Sequence, residues 1–369
     1  MTKGHSLRTW IEIDTHAAAH NVGQFRKVIG KSTQLCAVAK SNAYGHCLVE
    51  MARFFEKNKV DWIAVDSIVE AVRLREEGIV TPLLVLGATL IENYGLAEKH
   101  AISLAVSTRE GIRALRGRNI AVHIKIDTGM HRQGFQVHEM EALCTALKQN
   151  KVHVEGVFTH FASAKNPSFP QDMNQQIEKF ELARAVLKKA GFSPMCHAGA
   201  TGGALLCAKA RYDMVRIGIG MYGLWPSEET ERAMSHVISL KPVMTWKAVI
   251  CEVKKVKKGE RVGYDCTEEL VRNSTLAVVP IGYWHGYPRA LSSVGRVSVR
   301  GGEGRVVGRV SMDMIVVDVT NVKRVRAGDE VVLLGGTKNT SAYEVARLAG
   351  TSHYEIVTRI NPLIERVLK

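Results

Sequence analysis

Short apolar runs recur along the first two-thirds of the chain. They are LCAVA (35–39), WIAVD (62–66), LLVLG (83–87), ISLAV (102–106), VHIKI (122–126), VEGVF (154–158), PMCHA (194–198) and MVRIGI (214–219). Each has the length of a buried strand, and none approaches the roughly 20 apolar residues that a membrane span needs. Between most of them lie segments with apolar residues at helical spacing. Ser67-x-x-Glu70 and Ser107-x-x-Glu110 are capping-box patterns that open two such helices, and Gly78 is placed to close the first. The stretch 171–191 predicts a long amphipathic helix ending at a glycine. Strand-like runs alternating with helices predict an α/β fold, a (β/α)8 TIM-type barrel. Periodicity does not report closure, so a doubly wound open sheet is the alternative.

After about residue 235 the texture changes. VMTWKAVICEVKKV, STLAVVPIGY, GRVSVRG, EGRVVGRVSMDMIVVDVT and GDEVVLLGG are short, β-branched and punctuated by glycine, which predicts a mostly β C-terminal domain. The opening segment SLRTWIEID alternates like a strand and precedes the first helix, so it is expected to pair with that domain. The expected division is an N-terminal strand over 1–11, a barrel over 12–234 and a β domain over 235–369. A length of 369 residues suits two domains better than one core.

Composition adds a few bounds. The start, MTKGHSLRTWIEIDTH, lacks the apolar core of a signal peptide, and the 7 cysteines are odd in number with no CxxC spacing. Both fit reduced thiols in a cytoplasmic protein. No metal-ligand spacing is present, so no metal is expected. The net charge of +14 admits a nucleic-acid partner, but the densest basic run, KKVKKGER (254–261), contains no aromatic residue and reads more simply as a solvated face.

In a barrel of this kind chemistry gathers at the C-terminal ends of the strands. Lys40 follows the first run; the fifth strand carries Lys125 and Asp127, then Arg132; the sixth ends at Thr159 and His160; the seventh runs into Ala200, Thr201, Gly202 and Gly203; the eighth carries Arg216 and runs into Gly218, Ile219 and Gly220. Singly, each has a bland structural explanation. Jointly, basic and hydrogen-bonding groups at one end of several strands are a poor way to build mere stability. A lysine leaving a buried strand suits Schiff-base formation with an aldehyde, once its ordinary pKa of about 10.4 is lowered. The aldehyde cofactor is pyridoxal phosphate, whose phosphate needs backbone N–H donors, hydroxyls and little bulk. Tyr44, Thr201, Gly202, Gly218 and Ile219 offer these. Gly218-x-Gly220-x-x-Gly223 also matches the dinucleotide fingerprint, but Leu224-Trp225-Pro226 follows where a helix and a second strand would be needed.

AVAKSNAYGH (37–46) resembles the cofactor-lysine motif of the bacterial alanine racemase family, fold-type III pyridoxal-phosphate enzymes. HIKIDTGMHRQGF (123–135), GVFTHFASA (156–164), MVRIGIGMYGL (214–224), VGYD (262–265), VVPIGYWHGYPRALS (278–292), VGRVSMDMIVVDVT (307–320) and SHYEIVTRI (352–360) are similar to further blocks in the same order, so the resemblance spans nearly the whole chain. It implies a head-to-tail homodimer with shared active sites and a small amino acid as substrate, most simply alanine. By position it implies Lys40 as Schiff-base lysine and one catalytic base, and Tyr264 of the second copy as the other. Arg132 would hold the cofactor's phenolic oxygen and the substrate carboxylate. Lys125 matches a lysine carbamylated in many relatives. His160 and Arg216 would stand behind Tyr264 and the pyridine ring, at least one of them as a cation that lowers the phenol pKa. Tyr44, Thr201, Gly218, Ile219 and Tyr354 would bind phosphate, and Met312 of the second copy would shape the entrance and the carboxylate site. The chain departs from the family text at Ala200, Thr201, Trp284, His285 and His353, which bears on substrate choice and leaves a serine or broader racemase open. A decarboxylase of the same fold type, lacking need of a second base, a one-barrel pyridoxal-phosphate-binding protein without strong catalysis, and a basic nucleic-acid-binding protein are the competing readings.

Overall fold

The computed structural model describes residues 7–168 and 170–369. The chain divides into two compact units: one of Ala17–Ala43 and Leu48–Lys241, the other of the segment through His16, Tyr44–Cys47 and Pro242–Lys369.

The first of these is a closed parallel barrel. Counting from β1 (Thr9–Ile13), which lies in the other unit, its strands are β2 (Gln34–Val38), β3 (Trp62–Val65), β4 (Leu83–Val85), β5 (Ser103–Val106), β6 (Ala121–Lys125), β7 (His153–Phe158), β8 (Met195–Ala200) and β9 (Met214–Ile217). Every apolar run of the barrel region holds a strand. The pairing of β9 with β2, Gln34 opposite Met214 through Ala37 opposite Ile217, decides for the barrel against the open sheet. Its apolar side chains are sealed: Leu35, Ile63, Leu84, Leu104, Ile124 and Val157 are all 0% exposed.

The helices follow their local signals with one displacement. Ile68–Glu76 is opened by the expected box: Glu70 N–H donates to Ser67 Oγ at 3.3 Å, and Ser67 N–H to the Glu70 carboxylate at 3.4 Å. Gly78 closes it at φ +84°. The second box is not formed. Thr108, extended at φ −134°, is the cap instead, its hydroxyl accepting from Gly111 N–H at 3.1 Å. That starts the helix one residue late and leaves Glu110 on its second position, where it pairs with Arg113 at 2.7 Å instead of reaching back. The long helix spans Pro170–Lys189, with Gly191 beyond it at φ +86°.

The second unit is built on a nine-stranded sheet. Its spatial order is Glu252–Val256, Ser274–Val279, Ile315–Asp318, Gly302–Val306, Arg296–Val299, Glu330–Leu334, Met244–Val249, β1 and Arg366–Leu368. All pairs are antiparallel except that of β1 with Arg366–Leu368. Strand β1 alternates as its sequence suggests, with Trp10, Ile11 and Ile13 buried. The opening residues 1–6 of the expected N-terminal strand lie outside the described residues. A separate two-stranded hairpin pairs Arg261–Val262 with Glu268–Glu269 and carries Tyr264 in its tip.

No disulfide joins the described cysteines; Cys36, Cys144 and Cys196 are buried, whereas Cys251 and Cys266 are exposed. Among the described residues no helix is long and apolar enough to cross a membrane, and no cluster of His, Cys, Asp and Glu is arranged to hold a metal ion.

Candidate active site

Lys40 stands directly past the C-terminal end of β2. The chain then makes a left-handed turn in which Ser41, Asn42, Ala43 and Tyr44 have φ between 53° and 56°. L-residues resist this conformation, and only neighbours that fix the backbone sustain it. Ala43 N–H donates to Ala39 C=O at 2.8 Å, Asn42 N–H to Glu70 Oε1 at 3.2 Å, and Leu48 N–H to Asn42 Oδ1 at 2.9 Å.

At the ends of β6 to β9 the other expected groups come together. Lys125 is buried and donates to Gln133 Oε1 at 3.0 Å. Burial, then Arg132, Arg216 and Lys40, pull its ammonium down to about 8. The loop after β6 is tied by Asp127, whose carboxylate accepts from Gly129 and His131 N–H at 3.0 Å each. It closes through Asp127 N–H to Phe135 C=O at 2.9 Å. Gly134 is required there: at φ +133° a Cβ would lie 2.4 Å from the Asp127 nitrogen. Arg132 is carried exposed on this loop. His160 feels burial first and then Arg216, Arg132, Lys125 and Lys40, which together push its imidazole down to about 3. Of the two groups expected to supply at least one cation, His160 is the one held neutral, by burial and four surrounding cations.

Arg216, 3% exposed, donates from Nη2 to the carbonyls of Thr159 (2.7 Å) and Ala198 (3.0 Å) and from Nη1 to His197 Nδ1 (2.6 Å). Burial brings its guanidinium to about 10, so it remains a cation at neutral pH. Thr201 opens the short helix Thr201–Leu206, and its hydroxyl accepts from Gly218 N–H at 3.2 Å, joining the loops after β8 and β9. Gly202 leaves no room for a side chain, since a Cβ would meet Ala164 O at 2.3 Å. Ala200, at the cap of that helix, supplies no side-chain bond. The glycine fingerprint leads only into the 3-10 turn Ile219–Tyr222, so the helix of a dinucleotide site is absent from this loop.

The remaining expected residues lie in the other unit. The Tyr44 and Tyr354 rings are 6.3 Å apart, and the His353 ring is tilted against both Tyr354 (4.8 Å, 44°) and Tyr343 (4.7 Å, 47°). Burial, then Tyr44 and Tyr343, raise the Tyr354 phenol. Tyr264 is 70% exposed and Met312 54% exposed. The Trp284 side chain is also exposed; its backbone N–H donates to Met312 C=O at 3.0 Å, while Gly282 N–H donates to His285 Nδ1 at 3.1 Å.

Sequence reasoning gave Glu70 only as a capping residue, without its bond to Asn42, and missed Gln133 and three polar groups inside the barrel, His123, Glu155 and His197. One signal was present. His123 stands two residues before Lys125 on β6, and period-two alternation puts both on one face of the strand.

The family model described as "Alanine racemase, N-terminal domain" matches residues 13–226, and that for the C-terminal domain matches 243–368. An alanine racemase of Symbiobacterium thermophilum is 40% identical over 97% of this chain and 96% of its own length. One of Desulforamulus reducens is 37% identical over 97% and 98%. Among solved structures, the alanine racemase of Clostridium difficile 630 superposes with a TM-score of 0.94 at 32% identity, covering 99% of this chain and 97% of its own. That of Bartonella henselae, with covalently bound pyridoxal phosphate, gives 0.89 at 25% identity over 98% and 100%. Two matched domains, full-length relatives and a shared fold converge: the chain belongs to the alanine racemase family and is an isomerase that uses pyridoxal phosphate to racemise alanine.

Proposed function

We propose that racemisation runs between two bases supplied by different copies of the chain, Lys40 Nζ on one face of the substrate α-carbon and Tyr264 Oη of a second copy on the other. The donor set fits the cofactor: a primary amine at a strand end, a hydroxyl and backbone N–H groups at a glycine-bearing loop pair, and a guanidinium facing inward. When bound, pyridoxal phosphate accepts the electron pair left as the α-proton departs.

The chain's own groups then divide the work. Lys40 attaches the cofactor and holds or returns a proton at Nζ. Tyr44, Thr201, Gly218, Ile219 and Tyr354 bind the phosphate. Arg132 orients the substrate carboxylate, with Met312 of the second copy shaping its site. Lys125, with a pKa near 8, has a neutral fraction that can add carbon dioxide at Nζ and release a proton to solvent, giving a carbamate whose negative charge would align Arg132. Arg216 offers the ring nitrogen an N–H that it does not surrender, which keeps the electron sink weak and favours return of the proton to the α-carbon.

A phenol with pKa near 10 would lose up to about 4 kcal/mol if it had to ionise unaided at neutral pH. With His160 neutral, we assign the compensating charge to Arg216. The β domain, 235–369 with the strand over 1–11, lends Tyr264 and Met312, and the barrel, 12–234, holds the cofactor; the setting is cytoplasmic and the assembly a homodimer.

The observation that carries this reading is the cluster of Lys40, Lys125, Arg132 and Arg216 around His160, set against a base candidate, Tyr264, that is 70% exposed on its own unit. Lys40→Ala and Tyr264→Phe should each lose racemisation, the first also losing borohydride-fixable cofactor. Dissociated and reassembled together, they should regain activity, because one site of the mixed dimer has both bases. A mixed dimer verified by native mass spectrometry yet inactive would refute the shared site.

A further inference from the structure

The barrel interior contains a line of hydrogen bonds that the reacting groups do not require. Arg216 Nη1 lies 2.6 Å from His197 Nδ1, His197 Nε2 lies 2.7 Å from His123 Nδ1, and His123 Nε2 lies 3.2 Å from Glu155 Oε2. The same carboxylate oxygen accepts from the Ser103 hydroxyl at 2.5 Å. Both imidazoles are 0% exposed.

The protons on this line follow from its ends. A guanidinium has donors only, so His197 Nδ1 accepts and its proton sits on Nε2. His197 Nε2–H then donates to His123 Nδ1, which places the His123 proton on Nε2 as well. His123 Nε2–H donates to a carboxylate, which only accepts. Each ring nitrogen is used once: reversal of His197 would set donor against donor at the guanidinium, and reversal of His123 would set donor against donor at His197 Nε2 and acceptor against acceptor at Glu155. The surroundings offer little else: Phe158 stacks on His197 at 4.9 Å and 4°, Arg216 lies 5.1 Å over the Phe158 ring, and Trp62 meets His123 edge-on at 5.4 Å.

The line also answers a charge problem. Arg216 is a buried cation, and among the described residues no carboxylate pairs with it directly; its partners are two carbonyls and an imidazole. Buried charge is costly without compensation. The carboxylate at the other end of the line belongs to Glu155, near the start of β7 and so toward the N-terminal mouth of the barrel, with its side chain 28% exposed. Serial hydrogen bonds polarise one another, so an anion at one end makes His197 Nδ1 a better acceptor at the other.

We propose that Glu155 is a positioning residue for Arg216, acting from the opposite end of the barrel through His123 and His197. It locks both tautomers, which fixes the guanidinium and sets how strongly it donates to the cofactor's ring nitrogen. This rests on the assignment of Arg216 to that nitrogen.

The test begins without substrate. With isotopically labelled histidine, NMR of the holoenzyme should show two imidazoles protonated on Nε2, non-titrating across neutral pH, with a scalar coupling across the His197–His123 bond. A proton on Nδ1 of either ring overturns the proposal before any variant is made. Glu155→Leu should then release the His123 tautomer, shift the visible band of the bound cofactor and raise the yield of keto acid from abortive transamination several-fold. Glu155→Gln, whose amide oxygen still accepts, should restore the tautomers and most of the band. A Glu155→Leu protein with unchanged tautomers and unchanged band overturns the proposal. Arg216→Glu separates the two layers: if it leaves the band unmoved while the tautomer pattern of the parent stands, the assignment of Arg216 to the ring nitrogen has failed and the proposal falls with it. If Arg216→Glu moves band and partition but Glu155→Leu moves neither, only the line has failed.

Discussion

Lys125 is held in an environment that disfavours its own charge. Burial is the larger cause, and Arg132, Arg216 and Lys40 add to it, so its pKa falls from 10.5 to about 8. Between those values the unfolded chain binds more protons than the folded one, so stability rises with pH through the window. Below it both states are protonated, and the folded state bears the full penalty, up to about 3 kcal/mol. Lys125→Met should therefore stabilise the protein near pH 7 in bicarbonate-free buffer, and its advantage should shrink as pH climbs from 8 toward 10.5. Urea unfolding at a series of pH values measures this; an advantage that stays constant with pH would contradict it. The identities of Lys40, Lys125, His160 and Arg216 as strand-end groups were legible in the sequence. The charge state of His160 was not, because it depends on cations that β2, β6 and β9 bring together from distant positions.

At the scale of elements, the left-handed turn after β2 is the most expensive piece of backbone near the site. Its residues Ser41 to Tyr44 contain no glycine, and each is disfavoured by roughly 1–2 kcal/mol relative to the right-handed form. Glu70 couples this turn to a neighbouring helix: Oε1 accepts from Asn42 N–H, and Oε2 from Asp66 N–H at 2.9 Å and from Ser67 N–H. Glu70→Ala should strand three backbone donors, lower stability by about 1–3 kcal/mol and speed loss of cofactor on dialysis. Glu70→Gln, still an acceptor, should lose less. Unaltered unfolding and retention in Glu70→Ala would show that the turn is held by other contacts. The capping box was readable from Ser67-x-x-Glu70, but its second task was not. Of SNAY only Asn42 is a residue that readily visits positive φ, and one such position does not announce a four-residue left-handed turn; tertiary contacts impose it.

For the whole molecule, alternation of strands and helices gave the right number of barrel strands, while closure emerged only from the pairing of β9 with β2. Such a contact joins residues about half the chain apart and leaves no periodic trace. The β texture after residue 235 likewise announced a sheet without revealing its order, in which β1 lies between Met244–Val249 and Arg366–Leu368. The exposure of Tyr264 in its hairpin tip belongs to this scale, because the proposed function has it serve a site on a second copy.

Cys266 occupies the same tip, two residues beyond Tyr264, and is exposed, as is Cys251 on the same unit. A maleimide offered to the unmodified protein thus has a built-in timer and a built-in clock to compare it with. On the homodimer proposed above, dilution should quicken labelling of Cys266 relative to Cys251, and concentration should slow it. Equal labelling rates at every concentration would mean that this hairpin never enters a neighbour.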